Sequence, residues 1–269
     1  MFYLGLIILF IFLILAVFAP FIAPYDPSHL LGAPYQRPST AHWLGTNDIG
    51  QDIFSEFVYG TRISLIIGIS CSIIITGTGT IFGMMAGYLS RRVDSVIGVL
   101  TNFAMAIPDL PLTIVLLAFL GGNLTTFILC MCVTSWAGTT RVIRARTLQI
   151  RELPFISIER TMGAGKAYIM FRHILPNTIN MILVRAAMAV GGAMMTETAL
   201  SFFGIGSFGH KSWGTILRFA FFRSGVMAGY WWWYVPPIAC ISLCVLGFML
   251  VGTNFEKKRG TPSLKGSAL

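Results

Sequence analysis

With 269 residues, 55% of them hydrophobic and only 11% charged, the chain is too apolar for an ordinary soluble domain, in which about a quarter of residues carry charge. A net charge of +9 would suggest nucleic acid in a soluble protein. Here the excess is confined to residues 91–92, 141–172 and 257–265, between apolar runs. Short Lys/Arg-rich loops resist translocation, so the charge reports membrane topology and excludes a nucleic-acid partner.

Residues 1–25, 63–90, 110–140 and 224–255 contain no Asp, Glu, Lys or Arg. Roughly 20 such residues cross a bilayer as a helix. The pattern predicts an all-α polytopic membrane protein with six transmembrane helices, both termini cytoplasmic, in the plasma or inner membrane. All five cysteines fall in apolar runs, and no His joins them at ligand spacing. They read as small buried hydrophobes, and no metal site is predicted.

In chain order, residues 1–24 form the first transmembrane helix. The polar, proline-bearing segment 25–60 is extracytoplasmic and long enough to fold over the pore mouth. The core, 61–258, opens with a helix to about residue 88 that carries Gly79-x-x-x-Gly83-x-x-x-Gly87 on one face, a packing signal. Residues 95–120 form a third helix, kinked at Pro108-Asp109-Leu-Pro111. A short fourth helix at 124–139 places Arg141 near its inner end. The cytoplasmic loop 141–178 follows, with Pro176 marking entry into a fifth helix at about 179–203. A re-entrant or interfacial piece reaches residue 230, Trp231-Trp232-Trp233-Tyr234 reads as an aromatic belt, and a sixth helix precedes a cytoplasmic tail at 259–269.

The loop is the most informative stretch. Between Arg141 and Arg172 it carries seven basic residues against Glu152 and Glu159. Phe155, Ile158 and Met162 share one side at helical spacing, Ile169, Met170 and Phe171 form a second cluster, and Gly163 and Gly165 favour a bend between two short helices. Taken alone, this pattern fits either a docking element or an interfacial amphipathic helix. Gly163-Ala-Gly-Lys166 is not a phosphate loop, because Arg160 stands at the first glycine position and Ala167 replaces the Ser/Thr.

Within the membrane, carboxylates are functional candidates by default. Asp109 and Glu197 are therefore pathway candidates, each with a competing structural role as a cap or an interhelical hydrogen-bond partner. Arg185 suits a carboxylate or a lipid phosphate. His29, His42 and His210 fall in outer segments, where solvated histidines are expected.

Ser157-Ile-Glu-Arg-Thr-Met-Gly163, followed after nine residues by His173-Ile-Leu-Pro-Asn177, resembles the ATPase-coupling loop of ABC importer permeases. The wider chain is similar to the dipeptide/oligopeptide/nickel permease family, particularly its C-type second permease subunit. Collinear matches include Ala23-Pro-Tyr-Asp-Pro27, His42-Trp-Leu-Gly-Thr-Asn-Asp-Ile-Gly-Gln-Asp52, Ser135-Trp136, the run from Glu197 to Gly206, and Ser212-Trp-Gly214. The loop departs from the family pattern: where relatives carry Glu-Ala-Ala, this chain has Ser157-Ile158-Glu159, which moves the acidic residue two places.

The resemblance implies a non-catalytic pore subunit of a type I importer for di- or oligopeptides, with nickel or a metal chelate as the alternative cargo. Implied partners are a second homologous permease, two cytoplasmic ABC ATPases and an extracytoplasmic binding protein, besides the lipid membrane. No cofactor is expected in this chain, since ATP and Mg belong to the ATPases. Ser157, Glu159, Arg160, Met162, Gly163, Ala164, Lys166, Tyr168, Phe171 and Arg172 are the implied coupling residues. Asp109, Glu197, Arg185 and Trp136 are the candidate translocation-pathway residues. A secondary transporter is disfavoured, since no inverted repeat is evident; a membrane scaffold is the remaining alternative.

Overall fold

A computed structural model describes residues 1–206 and 209–257; the expected tail at 259–269 lies outside them. Apart from one isolated bridge between Thr46 and Asp52, the regular structure of the described residues is helical. The helices are α1 (Phe2–Val17), α2 (Ala19–Ile22), α3 (Ile53–Tyr88), α4 (Arg91–Ala106), α5 (Asp109–Leu120), α6 (Leu124–Arg151), α7 (Pro154–Thr161), α8 (Lys166–Ile169), α9 (Leu175–Phe202), α10 (Trp213–Phe222) and α11 (Trp231–Lys257). A π-helical turn, Met170–Ile174, fuses α8 to α9.

Four of these helical stretches are long and apolar enough to cross a membrane, namely α3, α6, the α8–α9 unit and α11. The pair α4 and α5 passes the same test together but bends by 89° between them. At 16 residues, α1 is shorter. It lies antiparallel on α11, with Phe2 against Phe255 at 5.8 Å and Gly5 facing Gly247.

Several boundaries differ from those expected from sequence. The outer segment ends at Asp52 rather than residue 60, because Asp52 caps α3: its carboxylate accepts hydrogen bonds from the Ser55 N–H at 2.8 Å and the Ser55 hydroxyl at 2.7 Å. The fourth helix does not stop near 139 but continues to Arg151, placing Arg141 mid-helix. Arginine is a good helix former, so leaving the apolar zone does not end the helix. Arg144 is held by the Asp94 carboxylate of α4 at 2.7 Å, and Arg141 donates to Asn102 at 3.1 Å. Pro176 does not begin a new element either. It has no N–H to return to the preceding turn and its ring crowds that turn, and the helix widens into the π turn just before it.

The centre of the bundle is the contact of α3 with α6. A Cβ built on Gly79, Gly83 or Gly87 would stand 2.6, 2.7 and 2.6 Å from the Cβ atoms of Thr139, Ile143 and Thr147 respectively. Each set repeats every four residues, so one ridge of α6 lies directly on the glycine stripe of α3. The cysteines are free; Cys71, Cys130, Cys132 and Cys244 are buried and Cys240 is partly exposed.

At the end of the bundle formed by the start of α3, α10 and the start of α11, residues 25–52 make a strap. The ring of Tyr35 packs on Tyr230 at 5.3 Å and Trp233 at 6.2 Å. Asn47 donates to Gln51 and Glu56, and Lys211 joins the same two side chains from the segment before α10. The expected aromatic belt is therefore mostly core: Trp232 and Trp233 are buried among the strap, α10 and α11, and only Trp231 is exposed. His42 is likewise not solvated; it is buried, with Nδ1 at 2.9 Å from Asp52.

Candidate functional site

The end of the bundle opposite the strap carries the loop. Leu153 and Pro154 start α7, and proline suits a first helical turn because its missing N–H has no partner there anyway. The helix closes through Met162, Gly163 and Ala164, whose N–H groups return to Ile158, Arg160 and Glu159 at 3.0–3.1 Å. Gly163 has φ +84, the left-handed conformation that this helix stop requires and that a side chain would strain.

The loop is anchored as well as bent. Ile156, Ile169, Met170 and Ile174 are buried and pack with Met84 and Tyr88 of α3 and with Ile143 and Ile150 of α6. The other face is bare. Met162 is 80% exposed, Phe171 64%, Ile158 59% and Tyr168 53%. These side chains project from an element whose underside shares one packed cluster with α3 and α6. Glu159 stands 3.3 Å from His173, and the His173 ring is flanked by Tyr168 and Phe155. Ser157 contributes its carbonyl to Thr161 Oγ1 at 2.9 Å. Arg160 and Lys166 are exposed and, with Ala164, line a cavity of about 500 Å³ shared with Tyr88, Arg151 and Glu152. Arg172 is exposed.

The intramembrane candidates separate into three places. Asp109 and Arg185 line one cavity of about 240 Å³ between α5, α6 and α9, together with Ser135, Thr139 and Thr196. Glu197 does not face it. That carboxylate is 1% exposed and accepts hydrogen bonds from Ser201 at 2.7 Å and Ser212 at 2.6 Å. Ser212 also caps α10 in a capping box with Thr215, and Gly214 lies so close to α9 that a Cβ would stand 2.8 Å from the Thr198 Cα. Glu197 therefore fastens α10 to α9. Trp136 lies partly exposed against Phe82 of α3, 5.2 Å between rings, and is not among the residues lining the cavity.

Residues 79–260 match the family model described as the binding-protein-dependent transport system inner membrane component, and residues 1–42 match the N-terminal transmembrane domain of oligopeptide transport permease C. The chain belongs to this permease family. Relatives include a dipeptide transport system permease protein of Bacillus subtilis, 33% identical over 94% of this chain and 79% of the relative. An oligopeptide transport system permease protein of the same organism is 33% identical over 94% of this chain and 82% of the relative. A glutathione transport system permease protein of Pectobacterium atrosepticum is 35% identical over 92% and 83%. The permease is thus a multi-pass membrane protein and a pore subunit of an ABC-type importer.

Sequence reasoning missed four partnerships in this permease: Ser212 with Glu197, Asp52 with His42, Lys211 with Glu56, and Thr139 with Arg185. The Ser212-Trp-Gly run held the signal for the first, since a serine ahead of a helical pattern marks an N-cap and a glycine marks close approach.

Proposed function

We propose that this permease forms half of the translocation pore of an importer for di- or oligopeptides, driven through its loop by ATPases on the cytoplasmic side. The observation that carries the reading is the bare apolar face of Ile158, Met162, Tyr168 and Phe171 on an element whose other face is packed into α3 and α6. Exposed apolar ridges of this kind serve as interface anchors. In the assembled transporter the ridge seats in a cleft of an ATPase, with Glu159, Arg160, Lys166 and Arg172 setting its orientation. Closure of the nucleotide-bound ATPase pair pushes the loop, and the glycine-tight α3–α6 contact carries the displacement to the cavity of Asp109 and Arg185.

The peptide class is supported by the dipeptide, oligopeptide and glutathione transport named in the relatives. In this reading the chain crosses the membrane six times, with α1 and the bent α4–α5 unit as the two crossings beyond the four long ones. Both termini and the loop are cytoplasmic, and the strap faces the binding protein. ATP and Mg reside on the ATPases, and a second homologous permease completes the pore.

Met162→Asp combined with Phe171→Asp tests the reading in the reconstituted complex. Both side chains are exposed in this chain, so the subunit folds, but substrate-stimulated ATP hydrolysis falls to the basal level and uptake is lost. Stimulation equal to that of the unmodified complex would refute the coupling assignment.

A further inference from the structure

The cavity between α5, α6 and α9 holds two charges of opposite sign, and they do not pair. Asp109 and Arg185 both line it, yet among the described residues neither takes part in an ion pair. The carboxylate of Asp109, an exposed residue in this chain, has no hydrogen-bond partner among them; only its backbone carbonyl is engaged, by Thr113. Of the five N–H donors of a guanidinium, Arg185 uses one, to Thr139 at 3.4 Å, and its Nε is buried with no partner. Ionised groups at membrane depth are costly, and a buried donor left unmade forfeits its hydration. Two such groups facing one space would relieve each other by meeting.

They enter the cavity from different helices. Asp109 is the first residue of α5, directly after Pro108 and the 89° break, so the break aims the carboxylate at the cavity from one side. Arg185 enters from α9 and is steadied by Thr139, which lies against Gly79 in the tight α3–α6 contact. At about 30 Å³ per water, a volume of about 240 Å³ takes roughly eight waters or one small solute. Ser135 and Thr196 supply further hydroxyls to the walls.

We propose that this cavity selects zwitterionic cargo, Asp109 receiving a free ammonium group and Arg185 a free carboxylate, so that a peptide with both termini unblocked neutralises both charges as it passes. This rests on the peptide-importer reading and deepens it, by placing a selectivity step in the membrane subunit in addition to any choice made by the binding protein.

The test uses the complete reconstituted importer with dialanine, N-acetyl-dialanine and dialanine amide, each supplied to give equal occupancy of the binding protein. A second readout dispenses with delivery: protection of Ser135→Cys from alkylation, located by mass spectrometry and scored against the native cysteines. The unmodified complex imports, and is protected by, dialanine at least about tenfold better than either blocked form, as expected for losing one charge-assisted hydrogen-bond pair. Asp109→Asn abolishes the discrimination against the N-acetyl form and keeps that against the amide. Arg185→Gln does the reverse, while Asp109→Glu and Arg185→Lys retain both preferences. Equal loss for all three probes in either variant, or no discrimination by the unmodified complex, overturns the proposal while leaving the importer reading intact. Failure of the unmodified complex to import either dialanine or tetra-alanine removes the peptide reading, and this proposal with it.

Discussion

Gly83→Ala adds one methyl group in the middle of the close α3–α6 contact. Its Cβ would stand 2.7 Å from Ile143 Cβ, 2.9 Å from Ile143 Cγ2 and 2.9 Å from the Thr140 carbonyl oxygen. Carbon atoms sit comfortably at about 3.5–4.0 Å, so α3 and α6 must separate by roughly 1 Å. Two of the three obstacles are a branched Cβ and a backbone carbonyl, and neither can swing away as a flexible chain end does. Overpacking of this kind costs about 1–3 kcal/mol. Gly77→Ala is the control on the same helix: a Cβ there meets nothing within 4 Å, and alanine is favoured over glycine inside a helix by roughly 0.5–1 kcal/mol. Thermal unfolding of the purified complex, followed by loss of monodisperse protein in detergent, should show Gly83→Ala lowered by several degrees and Gly77→Ala unchanged or raised. Equal shifts for the two variants would refute the claim that the stripe is a close-packed interface.

The strap end of the bundle yields two further predictions. Glu197→Ala removes the acceptor shared by Ser201 and Ser212, so two buried hydroxyl protons lose their partner while Ser212 Oγ still accepts from the Thr215 N–H, a loss of roughly 2–4 kcal/mol. The change should free α10, read as faster proteolysis or thiol labelling between residues 209 and 223, whereas Glu197→Gln keeps an acceptor and most of the protection. Lys211→Met strips the cation from Glu56, which is 2% exposed. Lys211 keeps a quarter of its side chain exposed, so the penalty is about 2–3 kcal/mol rather than the roughly 3–5 of a fully enclosed pair. Hydrogen exchange should then rise across residues 45–52; unchanged exchange there would show that the strap does not depend on Lys211.

The sequence was most legible where a physical constraint repeats along the chain. Glycines at 79, 83 and 87 declare a close contact by their spacing alone. Their counterparts Thr139, Ile143 and Thr147 share that spacing but are ordinary residues for a helix, so the partner stayed hidden. Hydropathy marks lipid rather than helix ends, and the Arg141–Arg151 stretch therefore looked like a loop although α6 runs straight through it. Trp231 to Tyr234 has the composition of a membrane-interface belt, yet the same rings suit a core, and only the strap's Tyr35 and the approach of α10 decide between the two. Polar pairings across irregular chain were the least accessible. His42 with Asp52 and Glu197 with Ser212 follow no helical or strand period, so nothing local joins them.

The intramembrane carboxylates show the same limit from another side. Cost alone singled out both Asp109 and Glu197, and cost alone does not distinguish a group kept unpaired in a cavity from one consumed in fastening two helices. The break at Pro108 leaves Asp109 unpartnered beside Arg185, while the return of the chain through Ser212 closes over Glu197.

The central claim is that the ridge around Met162 grips a nucleotide-hydrolysing partner inside the cell. A cysteine introduced at Met162 in the intact complex, treated with short bifunctional thiol reagents and with a membrane-impermeant maleimide on whole cells, tests it directly. A cross-link should form from position 162 to an ATPase subunit, with no reaction with the maleimide until the cells are opened. Labelling of intact cells at position 162, or a complex in which no ATPase can be cross-linked there, would contradict it.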